Sequence, residues 1–455
     1  MGASTFSQSF AEKYEAWASV MLPALVGCAL LIYQAFFAIK YPANLPLAEI
    51  YENYTKRGKT DLLPGLGFRH DIVLPQSTMR DIMARPEKEL SHADAVLELV
   101  QLKYALGHEK YKADPWPCIL VKLDINSKLE AVCDGMNEEL KYAFDKYIGC
   151  ETESWKEVDL LETIRMVMIA AASRFTVGFP LCRNEAYLRA CWKVKDEIMM
   201  NGGLTGATPR FLRPIIGPLI TMNLRRNIEQ VNKQVEPIYR QRIQALSQQN
   251  SAGKPDSEEP QDLFQQMLRY AQKERPRELH DLPSMSRRLC FANFAAVHQT
   301  TLLVTNMILN IVSSDSQYNT ISVLRDEVND IIGPDSNTKW TKYKVAQIIK
   351  SDSYDPFRFS RVREKAPRDG KGRSTTSNLS FVSTSPEHLP FGHGGYSCPG
   401  RFLVDFEVKM IVAYLLMNYD VEFPAKYNGR RPTNRWMAEA LMPPSGARIR
   451  IKRRS

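Results

Sequence analysis

The segment that most restricts this chain is CFANFAAVHQTTLLVTNMILNIV, Cys290 to Val312. It is apolar on nearly every face of a helix, so it must be the central helix of a large domain or a membrane span. His298, Gln299, Thr300, Thr301 and Thr305 lie near its middle. Polar groups in a buried helix face a cavity or a hydrogen-bonding partner, which favours the protein interior. Before it, between about residues 90 and 250, apolar residues recur at three and four, a helical period. Leu97 to Leu106, Met136 to Tyr147, Leu160 to Ala172 and Ile228 to Leu246 are examples. Two β-prone pieces, Tyr419 to Phe423 and Ala447 to Lys452, close the chain. Arg448, Arg450 and Lys452 alternate there as the solvent side of a last strand. Ser251 to Pro260 and Lys365 to Ser380 have the composition of surface connections.

Trp17 to Ile39 contains 23 residues without a charge. At 1.5 Å per residue it spans about 34 Å, enough for a hydrocarbon core of about 30 Å. Glu12, Lys13 and Glu15 precede it, unlike the basic lead and shorter apolar core of a cleaved signal peptide. The expectation is a short lead over 1–16, a single-pass anchor over 17–39 and one catalytic-sized domain over 40–455. Pro42 and Pro46 stop the anchor helix. Lys40, Lys56, Arg57 and Lys59 place the domain on the cytoplasmic side by the positive-inside bias.

The chain has 455 residues, 44% hydrophobic and 24% charged, which excludes disordered, collagen-like and disulfide-framework classes. Its formal net charge of +9 favours anionic partners. The basic residues are scattered except in the terminal RIRIKRRS, so no nucleic-acid partner is expected. Eight cysteines show no C-x-x-C pair, which argues against a zinc ribbon and against paired disulfides.

The chemistry concentrates in FGHGGYSCPG, Phe391 to Gly400, which runs into the apolar helix RFLVDFEVKMIVAYLLMNY. Glycines let a backbone adopt φ > 0 and approach a flat ligand closely. A helix N-terminus offers free N–H groups and partial positive charge, both of which favour a thiolate at Cys398. Such a sulfur is a metal ligand or a nucleophile. The second role needs a base, and His393 is the nearest, but a glycine-rich loop is a poor frame for that dyad.

The spacing Phe391-x-x-Gly394-x-x-x-Cys398-x-Gly400 resembles the haem-binding loop of the cytochrome P450 family, the haem-thiolate monooxygenases. YDPFRFS, Tyr354 to Ser360, is similar to the segment that precedes that loop. AAVHQT, Ala295 to Thr300, sits where the family's central helix bends over the distal face of the haem. RFTVGFPLCRNEAYL, Arg174 to Leu188, resembles filamentous-fungal members that tailor secondary metabolites. The resemblance implies a mainly α fold with small β-sheets, preceded here by a single N-terminal transmembrane helix. It implies haem b with Cys398 as the axial thiolate on iron. Phe391 would pack beside the sulfur, Gly394 and Gly400 would let the loop pass under the porphyrin, and Tyr396 stands where a basic residue commonly meets a propionate. His298 falls where the family usually has an acid and Gln299 where it usually has threonine, positions that organise proton delivery. Thr300 is the next hydroxyl and could stand in if the helix is slightly rotated.

Arg358 matches the later arginine that the family links to an E-x-x-R pair, but that pair is missing where it belongs. Only 43 residues separate Asn310 from Tyr354. A segment is therefore expected to be lacking at about 350–354. The ERPR of Glu274 to Arg277 precedes the central helix and contains a proline, so it is a coincidence. The functional expectation is a membrane-anchored haem-dependent monooxygenase of the endoplasmic reticulum. It would oxidise a small hydrophobic metabolite with O2 and electrons from an NADPH-dependent flavoprotein reductase. The alternative is a non-catalytic or truncated relative with impaired haem binding.

Overall fold

The computed structural model describes residues 52–64, 70–252, 259–333, 382–385, 389–437 and 440–454. The anchor expected at 17–39, Arg358, the loop at 365–380 and the expected deletion at 350–354 lie outside these residues. The chain divides into two compact units, Met1–Asp81 and Ile82–Ser455. In the first, β1 (Asp61–Pro64) pairs antiparallel with β2 (His70–Val73), Asp61 opposite Val73.

The second unit is mainly helical. In chain order it contains α1 (His92–Val100), α2 (Trp116–Tyr147), β3 (Lys156–Asp159), α3 (Leu160–Thr176) and α4 (Glu185–Ala207). Next come α5 (Arg213–Ile220), α6 (Met222–Ala252), α7 (Leu263–Glu274), α8 (Leu282–Tyr318), α9 (Thr320–Ile332) and α10 (Arg401–Asn418). The chain closes with β4 (Tyr419–Glu422), β5 (Arg435–Met437), β6 (Ala440–Met442) and β7 (Arg448–Arg453). Strand β7 lies between β3 and β4, antiparallel to both. Ile449 and Ile451 are buried, whereas Arg450 and Lys452 stack over the Trp155 ring. The alternation expected of a last strand is present.

Helix α8 contains the all-round apolar segment and is a core helix. It packs against α2, α3, α4, α6, α9 and α10. The Asp281 carboxylate caps its start by accepting from Ser284 N–H at 3.1 Å, and Asn319 in the left-handed conformation (φ 50°) ends it. Thr300, Thr301 and Thr305 donate to the carbonyls of Ala296, Val297 and Thr301 at 2.9, 2.7 and 2.8 Å. These hydroxyls are thereby satisfied inside their own helix and demand nothing of the neighbours.

Two sequence expectations are refined. The periodic stretch Leu97 to Leu106 breaks at Gln101 (φ 47°) into α1 and a short turn, Leu102–Ala105. The break accompanies a close approach of α1 to α4, where a Cβ on Gly202 would lie 2.9 Å from the Val100 Cα. Hydrophobic period alone carries no signal for such a one-residue kink. In ERPR, Glu274 ends α7 while Arg277 lies in a separate short helix, Pro276–Leu279, so the two do not share a helix face.

A buried ion pair ties α6 to α7. Arg242 Nη1 and Nη2 meet the Asp262 carboxylate at 2.6 and 2.7 Å, and Nη2 also donates to Val177 O at 3.0 Å. Asp262 caps α7 as well, accepting from Gln265 N–H at 2.9 Å. Gly178 (φ 69°) passes so close that a Cβ would lie 2.6 Å from Asp262 Oδ2. Asp262→Ala strands a buried guanidinium and removes the cap. A loss of about 3–5 kcal/mol is expected in denaturant unfolding, with a loss under 1 kcal/mol, that of an ordinary exposed pair, counting against the clamp.

Candidate haem-thiolate site

The loop of residues 389–400 is shaped by its own backbone. Cys398 N–H donates to Phe391 O at 2.7 Å, so the loop closes on itself and holds Phe391 next to the cysteine. Gly392 (φ 66°) must be glycine, because a Cβ there would strike the Tyr396 carbonyl. Gly394, with φ 61°, and Gly400 are different, for no atom lies within 4 Å of a Cβ built on either. That open space on glycine backbone is the cradle a planar ligand needs.

Cys398 is half-buried, immediately before α10 with Gly400 at the N-cap. Burial pushes its thiol above the ordinary value. The backbone N–H groups of Gly400 and Arg401 and the Arg401 charge oppose that without overcoming it. Helix-terminal stabilisation of a thiolate, expected from sequence, is therefore present but outweighed. A coordinating cation deprotonates such a thiol outright, so this sulfur suits a metal better than free nucleophilic chemistry. His393 Nδ1 pairs with Thr384 Oγ1 at 3.1 Å.

Tyr396 is placed differently from the role the resemblance implies. Its phenol donates to Arg85 O at 2.8 Å and lies 3.3 Å from Leu90 O, which anchors the loop to backbone. With one O–H to give, the ring is a strut for the loop. Cys118, in the first turn of α2, feels the charge of Cys398, and burial takes its thiol up to about 11. No pattern in the sequence joins these two cysteines.

The three distal candidates do not share a direction. Gln299, like Ala295 one turn before it, is exposed, while His298 and Thr300 are buried. His298 stacks on Phe294 with ring centroids 5.5 Å apart, and its Nδ1 has no hydrogen-bond partner. Burial lowers it to about 4, and positive Lys195 and Arg165 add to that while Asp196 opposes. Lys195 and Asp196 of α4 and Arg165 of α3 thus surround the imidazole. Asp196 is their hub, accepting from Trp192 Nε1 at 2.6 Å and lying 3.1 Å from Lys195 Nζ. The Thr300 hydroxyl is taken by Ala296 O, so Gln299 is the candidate whose polar end is free of the helix.

A cysteine presented at a helix start, a loop of cradling glycines and an apolar helix with one open face define a haem-thiolate oxidoreductase. The residues fit that group: Cys398 would ligate the iron, while Phe391, Gly394 and Gly400 would form the seat beneath the ring. Once bound, the haem supplies the binding and reduction of O2 from which one oxygen atom enters a substrate.

Comparison with known proteins agrees. The cytochrome P450 profile matches residues 350–451, which include the Cys398 loop. The chain is 77% identical to the cytochrome P450 monooxygenase pbrC of Penicillium brasilianum over the whole of both chains. It is 74% identical to astC of Aspergillus terreus, again over both whole chains, and 38% identical to tenB of Beauveria bassiana over 88% of this chain and 85% of that one. The protein belongs to the cytochrome P450 family and is a monooxygenase. The pbrC alignment runs over 539 positions, against 455 residues in this chain, so 84 positions have no residue here.

His298 generates a pH prediction. Its folded value lies below its ordinary 6.5, so the unfolded chain takes up the proton first as pH falls. Stability is then lost between pH 6.5 and 4, by up to about 3 kcal/mol from this group. His298→Gln should lose correspondingly less between pH 7 and 4.5 in urea unfolding. Parent and variant losing equal stability would show that His298 is not held neutral by burial.

Proposed function

We propose that this protein is a membrane-associated monooxygenase of fungal secondary metabolism. It inserts one oxygen atom from O2 into a small hydrophobic metabolite and draws its electrons from NADPH through a flavoprotein reductase. The observation that carries the reading is Cys398, half-buried at the start of α10 and surrounded by glycines that leave room for a flat cofactor. An acidic docking face on the reductase suits the net charge of +9. The similarity to the pbrC, astC and tenB monooxygenases supports secondary metabolism as the setting.

Two features support a bilayer, with the domain on the cytoplasmic face of the endoplasmic reticulum. One is the uncharged stretch from Trp17 to Ile39. The other is an apolar stripe on and beside α5, where Phe211, Ile215, Leu219 and Met222 are exposed. Exposed Arg210, Arg225 and Arg226 flank the stripe, an arrangement that suits an anionic lipid surface. The missing E-x-x-R pair is read as part of the positions that relatives have and this chain lacks. A non-catalytic relative is the weaker reading, because the cysteine loop is complete.

The test is the reduced, carbon-monoxide difference spectrum of membranes carrying the full chain and its Cys398→Ser variant. The parent should give the strongly red-shifted band of thiolate-ligated haem, and the variant should lose it at equal membrane recovery. A variant that keeps the band would show that another residue ligates the iron.

A further inference from the structure

A cavity of about 210 Å³ lies where the chain leaves the short turn Leu102–Ala105 and meets α6 and α8. Leu106 and Ile228, both buried, give it an apolar wall. No atom lies within 4 Å of a Cβ built on Gly107, so that edge is open. Exposed Arg225 and Glu229 of α6 and half-buried Arg287 of α8 bring the charge. Among the described residues none of these three makes an ion pair or a side-chain hydrogen bond. Asp281, at the head of α8, is already held by Lys110 and the Ser284 hydroxyl. Two guanidinium groups facing one cavity suit a phosphate, to which arginine donates in pairs. A carboxylate in the same wall repels a bare dianion and attracts an ammonium. The set therefore fits a phosphate ester that also bears an amine. At this size the cavity takes a head group and not a whole small-molecule ligand, for which roughly 300–1,000 Å³ is usual.

An apolar surface adjoins the charged one. Met222, Arg225 and Glu229 stand at i, i+3 and i+7, on one face of α6. Exposed Met222 is only about 4.5 Å of helix rise from Arg225, and it ends the stripe of Phe211, Ile215 and Leu219. The turn before the cavity touches the same helix as the stripe. The Tyr104 ring lies against Gly217 of α5, where a Cβ would come within 2.6 Å of it. We propose that the cavity is a headgroup site for an aminophospholipid. Arg225 and Arg287 hold its phosphate, Glu229 receives its ammonium, and its acyl chains lie along the stripe of α5. The site rests on the membrane-associated reading and deepens it, because the surface then selects a headgroup and does not merely attract negative charge.

The experiment titrates the detergent-solubilised full chain with dihexanoyl phosphatidylethanolamine. Dihexanoyl phosphatidylglycerol, which lacks the amine, and free phosphoethanolamine, which lacks the chains, are titrated beside it. The aminophospholipid should bind more tightly than either. Arg225→Gln and Arg287→Gln should each weaken it about tenfold, the loss of one hydrogen bond between charged groups. Arg226→Gln makes the same charge change one residue along, outside the cavity, and should leave binding unchanged. Glu229→Gln should erase the preference over phosphatidylglycerol. If Arg226→Gln weakens binding as much as Arg225→Gln, surface charge alone is at work and the site is overturned. Free phosphoethanolamine binding as tightly as the lipid overturns the lipid as ligand, and a parent that does not prefer the amine overturns the role of Glu229. If Arg287→Gln does not fold, the exposed pair Arg225 and Arg226 decides. Binding is read without turnover, so a missing carbon-monoxide band with headgroup selectivity intact faults the monooxygenase reading alone. Lost selectivity with the band intact faults the lipid site alone.

Discussion

Burying α8 is the constraint from which the rest of the second unit follows. A helix apolar on nearly every face has little side to give to water, so α2, α3, α4, α6, α9, α10 and the short helix Pro276–Leu279 pack on it. That enclosure decides the chemistry of the polar residues it carries. The threonine hydroxyls turn back to their own carbonyls, and the imidazole of His298 is held neutral between two cations of α3 and α4. Gln299 escapes because, like Ala295, it lies on the exposed side of the helix. Its side chain ends in an amide, which can donate and accept but does not carry charge.

On the other side, Cys398 shows two opposing effects of position. The start of α10 favours negative sulfur, and burial in the loop disfavours it more strongly. The balance leaves a protonated thiol whose ionisation waits for a cation. That is the reverse of a catalytic cysteine, which needs its thiolate before the substrate arrives.

Much of this was legible in the sequence because the relevant signals are local. The cysteine and glycine spacing, the apolar segment of α8 and the alternating last strand each occupy one continuous stretch. Other features depend on contacts between distant stretches. Tyr396 reads as a propionate contact by position, yet its hydroxyl is claimed by the backbone of residues 85 and 90. Gln101 breaks a periodic helix where Gly202 of α4 closely approaches Val100. His298 and Gln299 are neighbours in sequence, but a helix turns about 100° between them, and that rotation buries one and exposes the other.

The far end of α10 has a consequence for the near end. Arg325 donates to Leu416 O at 2.7 Å and Tyr419 O at 2.8 Å, where the helix passes into β4. Those carbonyls would otherwise be unsatisfied. The helix is thus moored to α9 and to the sheet at a point about 27 Å of helix rise from its start, with no contribution from the cofactor seat. A rod fixed at its base keeps its tip aimed, and the Cys398 sulfur lies just before that tip.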